Sequence, residues 1–168
     1  CRSSARPPVT GFGAAFTDGD RTRCAEMLDS PLADITFTEN GQVDVDQLNA
    51  LYRLIGWDNQ RRRTVTDTTE MLNVSRYYVA AHTGQGRLVG FARVGGDPYV
   101  AQVLDVITHP EYRRRGIATK CMSAVLEHLR SSQYASVMLT DESGIKGFYE
   151  RFGFQVFRDV ALVWERSA

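Results

Sequence analysis

Three consecutive arginines, Arg113, Arg114 and Arg115, stand directly before Gly116, Ile117 and Ala118. Upstream, Val103–Thr108 has the apolar pattern of a strand. Downstream, Ala118, Cys121, Met122, Val125 and Leu129 share one face of a helix. At such a junction the first N–H groups of the helix lack partners, and its dipole favours negative charge, so the chemistry on offer is anion binding. Gly116 lacks a Cβ and that of Ala118 is a single methyl, so a phosphate can approach the main chain. The arginines add forked donors suited to phosphate oxygens. Neither a P-loop signature nor a GxGxxG turn opening a βαβ unit is present, which argues against a P-loop NTPase and a dinucleotide fold. On these residues alone, the alternative is an ordinary basic helix start.

Two further residues could move protons. Tyr149, inside Phe148-Tyr149-Glu150-Arg151-Phe152-Gly153-Phe154, carries a phenol of ordinary pKa near 10, protonated at neutral pH and able to donate. Its aromatic neighbours allow the plainer reading of core packing. Asp105 lies within the strand before the arginine loop. A carboxylate in a partly dry cleft takes up a proton more readily and can act as a base, directly or through water. The other reading is a structural aspartate that bonds main chain.

The pattern Gln/Arg-x-x-Gly-x-Gly/Ala after a strand resembles motif A of the GCN5-related N-acetyltransferases (GNAT), with Arg113, Gly116 and Ala118 in the defining positions. Phe148–Phe154 resembles the late FY-x-x-x-GF signature, in the usual order and spacing, and Arg87–Arg93 resembles the strand before the motif A strand. The resemblance covers roughly Tyr77 to Trp164. Leu48–Trp57, Arg61–Arg63 and Ser75–Ala81 extend it towards the plastid and cyanobacterial branch, which includes the plant-type serotonin N-acetyltransferases.

That resemblance implies an α/β fold with a mixed, centrally splayed sheet, helices on both faces and acetyl-CoA in the cleft. Arg113, Arg114, Arg115, Gly116, Ile117, Ala118 and Thr119 would hold the pyrophosphate. Main chain at Val106, Ile107 and Thr108 would form a bulge that pairs with pantetheine and offers an oxyanion N–H. Asp105, just before that bulge, is the candidate general base, with Glu142 and His109 behind it. Tyr149 would meet the thioester sulfur as general acid. Ser143 stands where the family has an asparagine and would reach the pantetheine arm with a shorter side chain. Transfer to a primary amine would be direct, in a ternary complex, because Cys121 sits on the wrong face for a nucleophile. The implied acceptor is an arylalkylamine such as serotonin, with a protein lysine or N-terminus as the alternative and a non-catalytic acyl-CoA-binding domain as a further rival. Tyr99, Trp57 and Trp164 are candidates for an aromatic acceptor wall.

The remaining features bound this reading. The 168 residues fit one domain, over 31–168, after an arm at 1–30. Residues 1–10 are Arg- and Ser-rich and acid-free, like the end of a transit peptide, so a plastid is expected, and otherwise the cytoplasm. Twenty basic residues balance twenty acidic ones, so no global field points to nucleic acid or an anionic membrane. Three irregularly spaced cysteines and three scattered histidines predict neither a disulfide framework nor a metal site. A monomer or homodimer is expected. Arg61–Arg63 reads as a solvated face. Periodicity predicts strands at 31–38, 75–82, 87–95 and 99–108, a buried strand at 135–140 and a last strand or hairpin at 155–165. It predicts helices at 45–55, 65–74, 116–131 and 143–152, the first capped by Asp44 or Asp46.

Overall fold

The computed structural model describes residues 32–141 and 144–156. Its elements run β1 (Ile35–Glu39), α1 (Val45–Leu54), α2 (Val65–Val74), β2 (Tyr77–Thr83), β3 (Leu88–Gly96), β4 (Val100–Thr108), α3 (Ile117–Ser131) and β5 (Ser136–Met138). Single 3-10 turns occupy Pro110–Tyr112 and Glu150–Phe152. The expected 1–30 arm lies outside the described residues, as does most of the expected last strand.

The five strands pair in chain order, antiparallel from β1 to β4 and parallel between β4 and β5. β5 pairs only with Val100, Ala101 and Gln102. Beyond Gln102 the two strands part, so the sheet is splayed at its centre. Alternation sends one row of side chains to each face. Val79, Ala81, Ala92, Val94, Ala101 and Val103 pack against Ile117, Cys121, Met122 and Val125 of α3. Ala80, Leu88, Phe91 and Ile107 pack against Leu48, Leu51 and Tyr52 of α1. Helices therefore cover both faces, an α/β layering.

The local chemistry sets the element ends. Asp44, not Asp46, caps α1, accepting from the N–H groups of Asp46 and Gln47 at 2.9 and 3.1 Å. Thr64 caps α2 in a box with Asp67. Thr68 is the one buried residue of α2, and its hydroxyl donates to Asn49 Oδ1 of α1 at 2.7 Å. In α3 the buried stripe begins at Ile117 rather than Ala118.

Two expected elements are shorter than their patterns. The strand expected at 135–140 is three residues long, with Ser136 and Met138 exposed, because it meets only the start of β4. The helix expected at 143–152 is a series of turns ending in one 3-10 turn. Gly144 and Gly147 both take positive φ, 64° and 79°, which interrupts a right-handed helix. Gly153, at φ 92°, closes the turn.

Gly90 of β3 fixes the seat of α3. A Cβ there would run into Ile117 Cγ2 and approach Ala81 Cβ at 3.1 Å. Gly90→Ala should therefore lift the first turn of α3 from the sheet and cost about 1–3 kcal/mol by overpacking. Urea denaturation of the variant checks this; wild-type stability would show that α3 can shift freely.

Candidate functional site

The candidate anion-binding junction immediately precedes α3. Arg114 takes φ 63° and Gly116 φ 88°, so the chain turns twice through the left-handed region before α3 starts. Gly116 is the N-cap and gives no side-chain cap, and the first turn holds no acidic residue. Lys120 N–H donates to Gly116 O at 2.9 Å, which leaves Ile117, Ala118 and Thr119 N–H without intrahelical acceptors. A Cβ on Gly116 would touch only Leu32 Cδ1, at 3.8 Å, so internal packing does not demand glycine; the positive φ and the approach to the N–H groups do. Arg113, Arg114 and Arg115 are all exposed, and Arg115 lies over the Tyr112 ring at 4.8 Å. This junction fits a phosphate group.

The bulge in β4 lies one residue earlier than the resemblance implied. Arg93 pairs with Leu104 and Phe91 with Ile107, so Asp105 and Val106 together face Ala92. Asp105 is thus part of the bulge, with φ 55°, rather than its predecessor. The extra residue inverts the alternation. Val103 packs on the α3 face and Ile107 on the α1 face, although they are an even number of residues apart. Asp105 consequently meets Arg93 Nε in an ion pair, and its charge acts on the nearby Tyr52 phenol, whose hydroxyl donates to Met71 Sδ at 3.8 Å. Burial, then Asp105, pushes the Tyr52 phenol far above its ordinary value, so Tyr52 stays a donor. Val106 is half-buried, Ile107 buried and Thr108 half-buried, and β5 pairs with none of them among the described residues.

Tyr149 is half-buried against the α3-side core, edge-on to Phe148 at 4.9 Å and to Phe154 at 6.3 Å. Burial, then the charge of Asp141, pushes its phenol up, so it keeps its proton. His109 has both ring nitrogens in contacts. Nε2 meets Arg87 Nη2 at 2.7 Å and Nδ1 meets the Glu111 N–H at 3.3 Å. A neutral imidazole accepts at only one nitrogen, and the shorter contact to a cation is the stronger. Burial, then Arg87, holds His109 below its ordinary value. Its lone pair is occupied by Arg87, so it is a poor base. Ser143 and Glu142 lie outside the described residues. Cys121 is fully buried, and burial pushes its thiol up to about 12, so it is inert.

Sequence reasoning missed a cavity of about 610 Å³ beside the C-terminal end of α1, lined by Trp57, Asp58, Arg62, Arg63, Asp67 and Met71 among others. Asp58 is 6% exposed. Its Oδ1 accepts from the N–H groups of Arg62 and Arg63, which folds the loop back and places Arg63 3.5 Å over the Tyr52 ring. The reading of Arg61–Arg63 as a solvated face holds for Arg61 and Arg62 only. Two members of the expected aromatic wall lie within the described residues. Trp57 lines the cavity, Tyr99 sits 73% exposed on the β3–β4 hairpin, and Trp164 is outside the described residues. Only a tyrosine nine residues before the Arg61–Arg63 run, as Tyr52 is, hinted at this layer. Among the described residues no cluster could hold a metal ion.

Residues 73–156 match the family model described as acetyltransferase (GNAT) domain. An uncharacterized ycf52-like N-acetyltransferase of Prochlorococcus marinus is 30% identical over 120 residues, 70% of this chain and 66% of that one. A histone acetyltransferase of Glycine max is 27% identical over 138 residues, 76% of this chain and 58% of that one. The chloroplastic GCN5-related N-acetyltransferase 2 of Arabidopsis thaliana is 24% identical over 149 residues, 77% and 57% of the two chains. Among solved structures, a GNAT-family acetyltransferase of Streptococcus pneumoniae superposes with TM-score 0.65 at 26% identity, covering 80% of this chain and 99% of that one.

The Arg93–Asp105 ion pair gives a test of what Asp105 does. Asparagine tolerates the left-handed φ, so Asp105→Asn removes the charge and spares the backbone. Loss of the carboxylate should cost about 3 kcal/mol, the low end for breaking a buried pair. Activity and melting temperature should fall together. A variant of wild-type stability without activity would instead mark Asp105 as the base.

Proposed function

Since the chain belongs to the GCN5-related N-acetyltransferase family and is an acetyltransferase that uses acetyl-CoA, we propose a direct transfer to the free amine of an arylalkylamine, serotonin-like in chemistry. The observation that carries the reading is the pairing of an uncapped, acid-free α3 start with the opened strand β4. Residues Arg113 to Thr119 receive the pyrophosphate through N–H groups and arginine forks. The edge of β4 from Val106 to Thr108, unpaired among the described residues, offers main chain to the pantetheine arm and an N–H to the developing oxyanion.

The amine nitrogen attacks the thioester carbonyl carbon. A C–N bond forms, the C–S bond breaks, and Tyr149 gives its proton to the departing thiolate. The amine sheds its proton to solvent. Asp105 is paired with Arg93, which favours its role in holding the bulge over that of a base. The acceptor body lies against Trp57 and Met71 in the α1–α2 cavity, and buried apolar area there supplies roughly 25 cal/mol per Å². Arg63 connects this cavity to Tyr52 and so to the bulge.

A second reading, a protein lysine acceptor, has its own support. Asp58 and Asp67 line the same cavity, and the soybean relative is a histone acetyltransferase. Against it, Arg62 and Arg63 line the cavity too and repel a basic peptide. We place the enzyme in a plastid, on the likeness to the chloroplastic relative. No helix among the described residues is long and apolar enough to cross a membrane.

Tyr149→Phe should lower kcat by about 10²-fold and leave acetyl-CoA affinity unchanged. Because the Tyr149 phenol is raised, the wild-type kcat should show no falling limb up to about pH 10. Full activity in the variant would mean that the thiolate takes its proton from water.

Competition between tryptamine-like amines and short lysine peptides at low salt, followed by thiol release, tests the acceptor. The amines should win in kcat/KM. A tenfold preference for the peptides would overturn the choice.

A further inference from the structure

The late turn carries, besides Tyr149, a cation that reaches across to the start of α3. Arg151 Nη2 donates to Thr119 Oγ1 at 2.7 Å, a contact between residues 32 apart in sequence. Thr119 is in the first turn of α3, beside the N–H groups that lack intrahelical acceptors. The guanidinium is held from its other side by two rings, Phe148 at 4.5 Å and Phe152 at 5.0 Å. Arg151 is exposed, and among the described residues it forms no ion pair. Arg87 is different: its charge is shared with Glu111 at 3.2 Å.

An arginine packed against two aromatic rings loses less freedom when it binds than a free one, and its planar fork keeps donors to spare after one bond to Thr119. Among the described residues no carboxylate pairs with its charge, and the first turn of α3 holds none. We propose that Arg151 is a phosphate-binding residue for the CoA moiety, completing from the late turn the anion site that Arg113 to Thr119 begin. This rests on the acetyl-CoA site proposed above. It has a structural consequence. Arg151 and Tyr149 share one short turn, and Phe152 N–H donates to Tyr149 O at 2.9 Å. A phosphate drawn to Arg151 therefore also fixes the turn that presents the phenol. Cofactor anchoring and acid placement are then one event.

The test is calorimetry of CoA and dephospho-CoA with wild type, Arg151→Gln and Arg151→Lys. Glutamine removes the charge and keeps a planar amide on a shorter arm, and lysine keeps the charge on a long one. Wild type must bind CoA; if it does not, the site reading itself fails. With wild type binding, Arg151→Gln should weaken CoA at least tenfold, reduce the salt dependence of binding, and keep the melting temperature, while lysine restores part of the affinity. If Arg151 grips the 3′-phosphate, the variant should lose its preference for CoA over dephospho-CoA. If it grips the pyrophosphate, both ligands should weaken alike. Unchanged affinity and salt dependence for both ligands, in a folded Arg151→Gln, would overturn the proposal and leave the site reading standing.

Discussion

The extra residue in β4 opposite Ala92 governs the geometry on either side of it. With strict alternation, Asp105 would follow Val103 onto the α3 face and lie among apolar side chains. The bulge turns it to the α1 face, where Arg93 pairs with it beside Tyr52. A partly buried carboxylate needs such a partner, because unpaired it would cost several kcal/mol. The same ion pair thus stabilises a left-handed aspartate that would otherwise be strained. After Gln102 β4 has left β5, so among the described residues the strand beyond the bulge keeps one edge open. An open central strand is costly in main-chain hydrogen bonds. It is tolerable where another chain of donors and acceptors, such as a pantetheine arm, completes it.

Two layers converge on that opening. On one face α3 is seated by Gly90 and presents an uncapped first turn, with Arg151 brought to it from the late turn. On the other face α1 brings Tyr52 to Asp105 and, through Arg63, to the cavity beside Trp57. The proposed cofactor elements lie on the α3 side and the proposed acceptor elements on the α1 side. The bulge is the piece that both sides touch, which accords with an acetyl group crossing there.

Much of this was legible in the residues. Helical periodicity marked α1 and α3, since each buries a stripe on the sheet, and α2, which meets α1 through its one buried residue, Thr68. The arginine-glycine loop announced the α3 start. What was not legible came from tertiary partners. Nothing local in Val100–Thr108 distinguishes a bulge at Asp105 from one at Val106; Arg93 and Tyr52 decide it. The pattern of Ala135–Thr140 reads as buried, but burial depends on neighbours, and β4 supplies only three pairs. In 144–152 the apolar spacing was helical, yet two glycines with positive φ outweighed it. Arg151 carried no signal, because one exposed arginine in a polar turn looks like any other.

The central claim is that main chain, more than side chains, forms the cofactor site. Amide hydrogen exchange with and without CoA tests it most directly. The account predicts new protection at Ile117, Ala118 and Thr119 and along Val106 to Thr108, with β1 and β2 unchanged. Protection absent from both segments, under conditions where CoA is bound, would contradict it.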